Sequence, residues 1–223
     1  MSIYICGDST AASYDPANSL MMGWGQALPE YLPGIPVYNH AMAGRSTRTF
    51  LAEGRLDRVL EKIAPGDLML IQFAHNDENA EKPERYADPE QAYPENLRIF
   101  IREARGKRAI PVLMTPICMR LWEHGGLQPS HGKYVEAVRE TARMEKVPLI
   151  DLYSESFRLA AAAGEEGSKA MFLHLEPGED SRYPEGARDN AHTRAAAARP
   201  FAAFVADSLR RMGLADGSAC GGG

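Results

Sequence analysis

The stretch Leu68-Met69-Leu70-Ile71-Gln72-Phe73, followed at once by Ala74-His75-Asn76-Asp77, decides the fold of this chain. Its first six residues include a single polar one and show no apolar/polar alternation. A short run of that kind is a strand covered on both faces, the condition of a parallel sheet. Four further runs share the character, at residues 3–6, 36–39, 110–114 and 147–152. Helical spacing of apolar residues falls between them, at 24–32, 56–63, 95–105 and 133–145, and again at 194–212. The last pattern sets Phe201, Phe204, Val205, Leu209 and Met212 on one stripe, with Gly213 as its stop. Strand alternating with helix implies βαβ units with right-handed crossovers, an α/β protein with a five-stranded parallel sheet. In such sheets ligands sit at the carboxyl ends of the strands, so the residues just after each run are where chemistry is expected.

The chain as a whole excludes several function classes. Its 223 residues fit one α/β domain, expected over 1–213, with 214–223 a disordered Gly-rich tail. A net charge of −5, without a basic run, gives no electrostatic pull toward nucleic acid or anionic membrane. The apolar stretches are too short to span a bilayer, and no secretory leader pattern precedes the first strand run, so a cytoplasmic protein is expected. Three scattered cysteines show no zinc or redox spacing; Cys6 and Cys118 lie in apolar runs and read as small core residues.

The segments at the strand ends are polar and varied. Gly7-Asp8-Ser9-Thr10 comes after the first strand, Ala41-Met42-Ala43-Gly44-Arg45-Ser46-Thr47 after the second, and Ala74-His75-Asn76-Asp77 after the third. Asp189-Asn190-Ala191-His192-Thr193 precedes the closing helix. Acyl transfer needs a nucleophile on an exposed turn, a base beside it, and a third group to orient the base. Ser9 on its Gly turn, His192, and Asp189 three residues before it supply those types. The backbone N–H groups of Ser9 and Gly44 and the side-chain amide of Asn76 are candidate donors for a developing oxyanion. Each piece alone has a plainer explanation as a turn, a helix cap or a surface histidine. The four together, each at a strand end or a helix entrance, favour catalysis.

These motifs resemble the SGNH hydrolases, or GDSL esterases and lipases, whose four blocks contribute Ser, Gly, Asn and His. Ser9, Gly44, Asn76 and His192 match them, and Asp189 to His192 matches the family's Asp-x-x-His. The resemblance runs from Ile3 to about Leu209. Within the family the chain is most similar to the rhamnogalacturonan acetylesterase-like branch, through Gly7-Asp8-Ser9-Thr10-Ala11, Ala43-Gly44-Arg45-Ser46, Gln72 to Asp77, Pro148-Leu149-Ile150-Asp151-Leu152 and Asp189 to Thr193. It departs from that branch at Ala74, where Gly is usual, and at Ala191, where Thr is usual. The resemblance implies a flavodoxin-like three-layer sandwich. It also implies a serine esterase that removes acetyl groups from pectic oligosaccharides without metal or organic cofactor.

For substrate contacts the expectation falls on Arg45, His75 and Arg120. With Arg48 and Arg194, the two arginines suggest a local positive patch suited to a galacturonate-like carboxylate. Residues 119–130, with Gly125-Gly126 and Pro129, read as an irregular specificity loop. The competing readings are an esterase for another small ester, thioester or lysolipid, a metallophosphoesterase, and a non-catalytic carbohydrate-binding protein on the same fold.

Overall fold

A computed structural model describes residues 1–215. Five parallel strands form the central sheet: β1 (Ile3–Gly7), β2 (Val37–Asn39), β3 (Leu68–Gln72), β4 (Ile110–Met114) and, at the far edge, the short Leu149–Ile150. Their spatial order, with that edge strand as the fifth, is 2-1-3-4-5, the flavodoxin-like doubly wound arrangement. All five expected runs are strands, and their boundaries agree to within a few residues.

Residues within a strand alternate between two cores, because successive side chains point to opposite faces. Ile3, Ile5, Leu68, Leu70, Val112 and Met114 face one layer. It is built from α1 (Trp24–Ala27) and the closing helix Ala195–Arg211, which contributes Phe201, Val205 and Leu209, and from the helix Leu152–Ser168 with Leu152 and Ala160. Tyr4, Cys6, Met69, Ile71 and Leu113 face the other. That layer comprises α2 (Thr47–Ala52), α3 (Arg55–Leu60), α4 (Ala92–Gly106) and α5 (Gly132–Glu145). This two-sided burial explains why the strand runs carry so few polar residues. Cys6 and Cys118 are both fully buried free thiols. Among the described residues no helix is long and apolar enough to cross a membrane.

The structure departs from expectation in four places. The helix Leu152–Ser168, labelled α6, has no counterpart among the expected elements; its path breaks at Gly164, where φ is +73°. The region 119–130 is not irregular: it contains a small hairpin, β5 (Trp122–Glu123) with β6 (Gly126–Leu127), turned at His124 and Gly125, which both have positive φ. Residues 172–193 form an antiparallel ribbon, β8 (Phe172–Leu175) against β9 (Ala187–Thr193), outside the main sheet (β7 being Leu149–Ile150, and α7 the closing helix). Finally, Leu214 packs against the core and Ala215 is 1% exposed, so the ordered chain runs beyond the expected boundary at 213; the remainder of the expected tail lies outside the described residues.

Candidate active site

The register of the sheet sets the site. Gly7 at the end of β1 pairs with Gln72 at the end of β3, so both strands release their chains at one level. A Cβ on Gly7 would stand 2.9 Å from the Gln72 carbonyl oxygen, so only glycine lets β1 close against β3 at this point. Gln72, the single polar residue of the run, is fully buried; its Oε1 accepts from Trp24 Nε1 at 2.9 Å and lies 3.1 Å from Thr10 Oγ1. It thus pins the turn after β1. Asp8 is fully buried in that turn and accepts from the Thr10 N–H at 2.9 Å and the Thr10 hydroxyl at 2.7 Å. Burial pushes its carboxyl up despite these bonds. The Ser9 carbonyl accepts from Tyr14 Oη at 2.8 Å. The Ser9 backbone is therefore held from both sides while its hydroxyl faces a cleft.

That cleft, about 380 Å³, is lined by Ser9, Gly44, His75, Asn76, His192 and Arg85, with Ala43, Ala191, Met119 and Glu78 completing the wall. Gly44 has φ +77°, the left-handed region that glycine enters without strain. After it, Ser46 caps α2 through a reciprocal capping box with Thr49. Asp77 ties this segment to the one after β3: its Oδ1 accepts from the Thr47 N–H at 2.9 Å and from the Thr47 hydroxyl. Burial pushes the Asp77 carboxyl up to about 8. Asn76 is aimed by two partners. Its Nδ2 donates to the Arg45 carbonyl at 3.1 Å, and its Oδ1 accepts from Arg85 Nη1 at 3.4 Å. One N–H of that amide is left for the cleft. Among the described residues the N–H groups of Ser9 and Gly44 donate to no protein acceptor. Ala74, where glycine is usual in the branch it resembles, is fully buried with φ 159° and accepts from the Glu78 N–H, so the turn closes with alanine.

Asp189 and His192 arrive on the ribbon. Adjacent residues Phe172 and Leu173 on β8 pair with Thr193 and Asp189 on β9, so residues 190–192 bulge out of the ladder. Asp189 closes this bulge: its Oδ1 accepts from Ala191 N at 2.8 Å and His192 N at 2.9 Å, and its Oδ2 pairs with His192 Nδ1 at 2.6 Å. Burial alone would raise the Asp189 carboxyl, but the ring and the two N–H groups outweigh it and hold it at about 2. The Asp189 bond raises the His192 imidazole above its ordinary value, with burial pulling the other way. His174 Nε2 contacts Asn190 Oδ1 at 2.8 Å, and Arg120 N donates to the Asn190 carbonyl at 2.8 Å, fixing the middle of the bulge. Beyond it Thr193 and Met22 exchange two bonds, Met22 N to Thr193 O at 2.8 Å and Thr193 Oγ1 to Met22 O at 2.7 Å.

Of the expected site residues, the structure gathers Ser9, Gly44, Asn76, His75 and His192 on one cleft, with Asp189 behind His192. It does not bring Arg45 or Arg120 there. Arg45 pairs with Glu53 at 3.1 Å and donates to the Ala43 carbonyl, while Arg120 is buried and donates to Ser168 Oγ and the Glu165 carbonyl. Arg48 is spent on the Pro83 and Tyr86 carbonyls, and Arg194 lines a separate groove with Glu166 and Glu176. The expected patch is dispersed because Arg45, Arg48 and Arg120 are each taken up by other acceptors of the fold, and Arg194 lies on another groove. Of the hairpin region only Met119 reaches the cleft. Sequence reasoning missed Arg85, whose surroundings, Lys82-Pro83-Glu84-Arg85, look like any charged surface turn. His75 lines the cleft with its ring against His131, centroids 4.2 Å apart; burial holds its pKa well below the usual value, so the ring is neutral. Among the described residues no three His, Cys, Asp or Glu side chains converge to hold a metal ion.

The chain is similar to known proteins over most of its length. The profile of the GDSL-like Lipase/Acylhydrolase family matches residues 5–178, stopping before β9. Rhamnogalacturonan acetylesterase RhgT of Bacillus subtilis (strain 168) is 37% identical over 214 residues, 95% of this chain and 90% of its own length. The probable rhamnogalacturonan acetylesterase YesY of the same organism is 37% identical over 213 residues, 95% of this chain and 94% of YesY. The crystal structure of Bacillus subtilis YxiM superposes with a TM-score of 0.81 at 30% identity, covering 96% of this chain but only 57% of that one.

Proposed function

Because the chain belongs to the GDSL-like lipase/acylhydrolase family, we propose that it is a serine esterase removing acetyl groups from carbohydrate, with pectic, rhamnogalacturonan-type oligosaccharides as its substrate class. The observation that carries this reading is the 2.6 Å Asp189–His192 pair on the same cleft as Ser9, Gly44 and Asn76. Two full-length relatives bear rhamnogalacturonan acetylesterase names, which supports the substrate class. The cleft wall supports a small acyl group. Its aliphatic lining side chains are limited to Ala43, Met119 and Ala191, too few to build the greasy channel that a long acyl chain needs to leave water.

In the proposed mechanism Asp189 keeps the proton of His192 on Nδ1, leaving Nε2 as the free base. Ser9 Oγ makes no protein hydrogen bond among the described residues, so the Oγ–Nε2 bond forms as substrate is bound, as is common for catalytic pairs. Oγ attacks the acetyl carbonyl carbon and its proton passes to Nε2. The carbonyl oxygen becomes an oxyanion facing the N–H groups of Ser9 and Gly44 and the Asn76 amide. Collapse breaks the bond to the sugar oxygen, which takes the proton from His192 and leaves. Water, deprotonated by His192, then attacks the acetyl-serine, releasing acetate and restoring Ser9.

Acetate release from acetylated rhamnogalacturonan, xylan and sialic acid, with p-nitrophenyl esters of increasing chain length alongside, tests the reading. The expected order places the pectic substrate first and acetyl above longer acyl groups, with Ser9→Ala inactive on all. Preference for long acyl esters and no acetate from any carbohydrate would overturn it.

A further inference from the structure

Among the described residues Arg85 is the single arginine or lysine lining the cleft. A Cβ placed on Gly44 would lie 3.6 Å from both its Nη atoms and 3.7 Å from Cζ, so the flat face of the guanidinium covers Gly44. One edge reaches Asn76 Oδ1 at 3.4 Å. Its nearest carboxylate is Glu84, 3.8 Å from Nε and 62% exposed, a solvent-side contact that holds the charge only weakly. A guanidinium has five N–H donors, and among the described residues the single hydrogen-bond acceptor of this one is Asn76 Oδ1. The turn that carries Arg85 is braced: Arg85 N donates to the Lys82 carbonyl, Arg48 donates to the carbonyls of Pro83 and Tyr86, and Ala87 N donates to the Asp77 carbonyl. The other charged side chain in the wall, Glu78, is engaged by His131 Nδ1 at 3.0 Å. The cleft therefore holds one preorganised, underused, planar cation beside the groups that face the reacting carbonyl.

We propose that Arg85 is the specificity-determining anchor for a sugar carboxylate, held bidentately by the guanidinium edge next to the scissile acetyl group. This rests on the carbohydrate-acetylesterase reading and narrows it to a uronate-containing substrate. The position answers the chemistry. Arg85 lies against Gly44 and Asn76, so a carboxylate on it stands beside the groups that face the carbonyl under attack. A carboxylate there exchanges a loose surface partner for a fork-to-fork pair in a partly buried wall. Sugars lacking the carboxylate leave the guanidinium in place and gain nothing from it.

The test uses the enzyme with p-nitrophenyl acetate as reporter substrate. Inhibition constants are measured for a de-acetylated galacturonate oligosaccharide and for its methyl ester, on wild type, Arg85→Lys and Arg85→Ala. The wild type should bind the acidic form more tightly, and added salt should weaken that preference. Arg85→Ala should cut the acid-over-ester preference by about 10- to 100-fold, the range of a charge-assisted bond; Arg85→Lys should fall between, keeping charge but losing the fork. Equal weakening of both forms, or no wild-type preference, overturns the proposal. So does a loss in Arg85→Ala confined to kcat on the reporter, which would make Arg85 a positioning group for Asn76. Acetate release from acetylated carbohydrate is followed separately. Its absence with the acidic preference intact would refute the acetylesterase reading while leaving the carboxylate anchor, and the converse would remove the anchor alone.

Discussion

Asp189→Asn separates the two tasks that one carboxylate performs. Oδ1 accepts from Ala191 N and His192 N, and asparagine keeps that acceptor; Oδ2 pairs with His192 Nδ1 at 2.6 Å, and there an amide N–H₂ replaces it. The bulge is preserved while Nδ1 is forced to accept, so Nε2 carries the proton and cannot take one from Ser9. In the Ser-His-Asp protease template that tautomer error costs about 10⁴ in kcat, on the order of 5 kcal/mol of barrier. The stability loss is smaller. A carboxyl held at about 2 instead of 3.8 contributes roughly 1–2 kcal/mol after allowing for its part exposure, or about 2–8 °C in Tm for a domain of this size. Because the carboxyl is depressed, that stability exists above about pH 4 and is lost as pH falls through about 2. Because the imidazole is raised, its share is complete below about pH 6.5 and is lost as pH rises through the elevated His192 value. The Tm gap between wild type and variant should therefore be widest between about pH 4 and 6.5 and narrow on both sides. The wild-type kcat/KM should rise with pH as His192 deprotonates, with its midpoint above the ordinary histidine value; in the variant that midpoint should move to lower pH, since the main raising partner is gone. Steady-state kinetics and thermal melts on one preparation decide the matter. A clear Tm loss with kcat within tenfold of wild type would refute the orienting role and reduce Asp189 to a closure of the bulge.

Three further outcomes come from the same geometry. Asn76→Ala should lower kcat by roughly 10²–10³ with little change in KM on p-nitrophenyl acetate, the usual cost of one oxyanion donor; a KM rise at constant kcat would make Asn76 a binding group. Gly44→Ala should cost about 1–2 kcal/mol in melts through its φ of +77° and should also reduce activity, because the backbone shift that relieves this strain re-aims the Gly44 N–H; full activity with an unchanged melt would contradict the wall as described. Asp77→Asn should cost little at neutral pH, because a carboxyl pushed up to about 8 is protonated there. The Asp77 share of wild-type stability should fall as pH rises from about 4 to about 8, since the unfolded carboxyl ionises first, and titrated melts should show that slope removed in the variant.

The architecture was legible because burial on two faces leaves a mark in local composition. A strand such as Leu68–Gln72 cannot carry solvent-facing polar residues, so the five runs stand out of their surroundings. The residues that gather on the cleft were legible for a related reason: parallel strands deliver the loops at their carboxyl ends to one edge. Less local features left weaker marks. Helix α6 begins at an Asp151 cap and passes through Gly164 and Gly167, residues that speak against a helix of its length. The β8–β9 ribbon depends on pairing across the loop between the two strands and on a bulge, neither of which has a periodic signature. Charge placement was least legible. Arg45, Arg48, Arg120 and Arg85 are alike in sequence, and only the three-dimensional supply of carbonyls and carboxylates decides which three are consumed by the fold and which one faces the cleft.

The bonds between Met22 and Thr193 give the segment from Ser9 to Met22 an additional meaning. The chain leaves the serine, loops outward, and returns to grip the residue next to His192, with an isolated bridge between Met21 and Arg194 alongside. The return is closed at its base, where Gly23 N donates to the Ala12 carbonyl and Trp24 N to the Thr10 carbonyl. Met22 is therefore a clasp: short hydrogen bonds join the turn that carries the serine to the bulge that carries the histidine, although the two are separated by most of the polypeptide. Residues 15–18, exposed at the tip of the loop, lie outside the clasp, so a change of length should be tolerated there and not at Met22 itself.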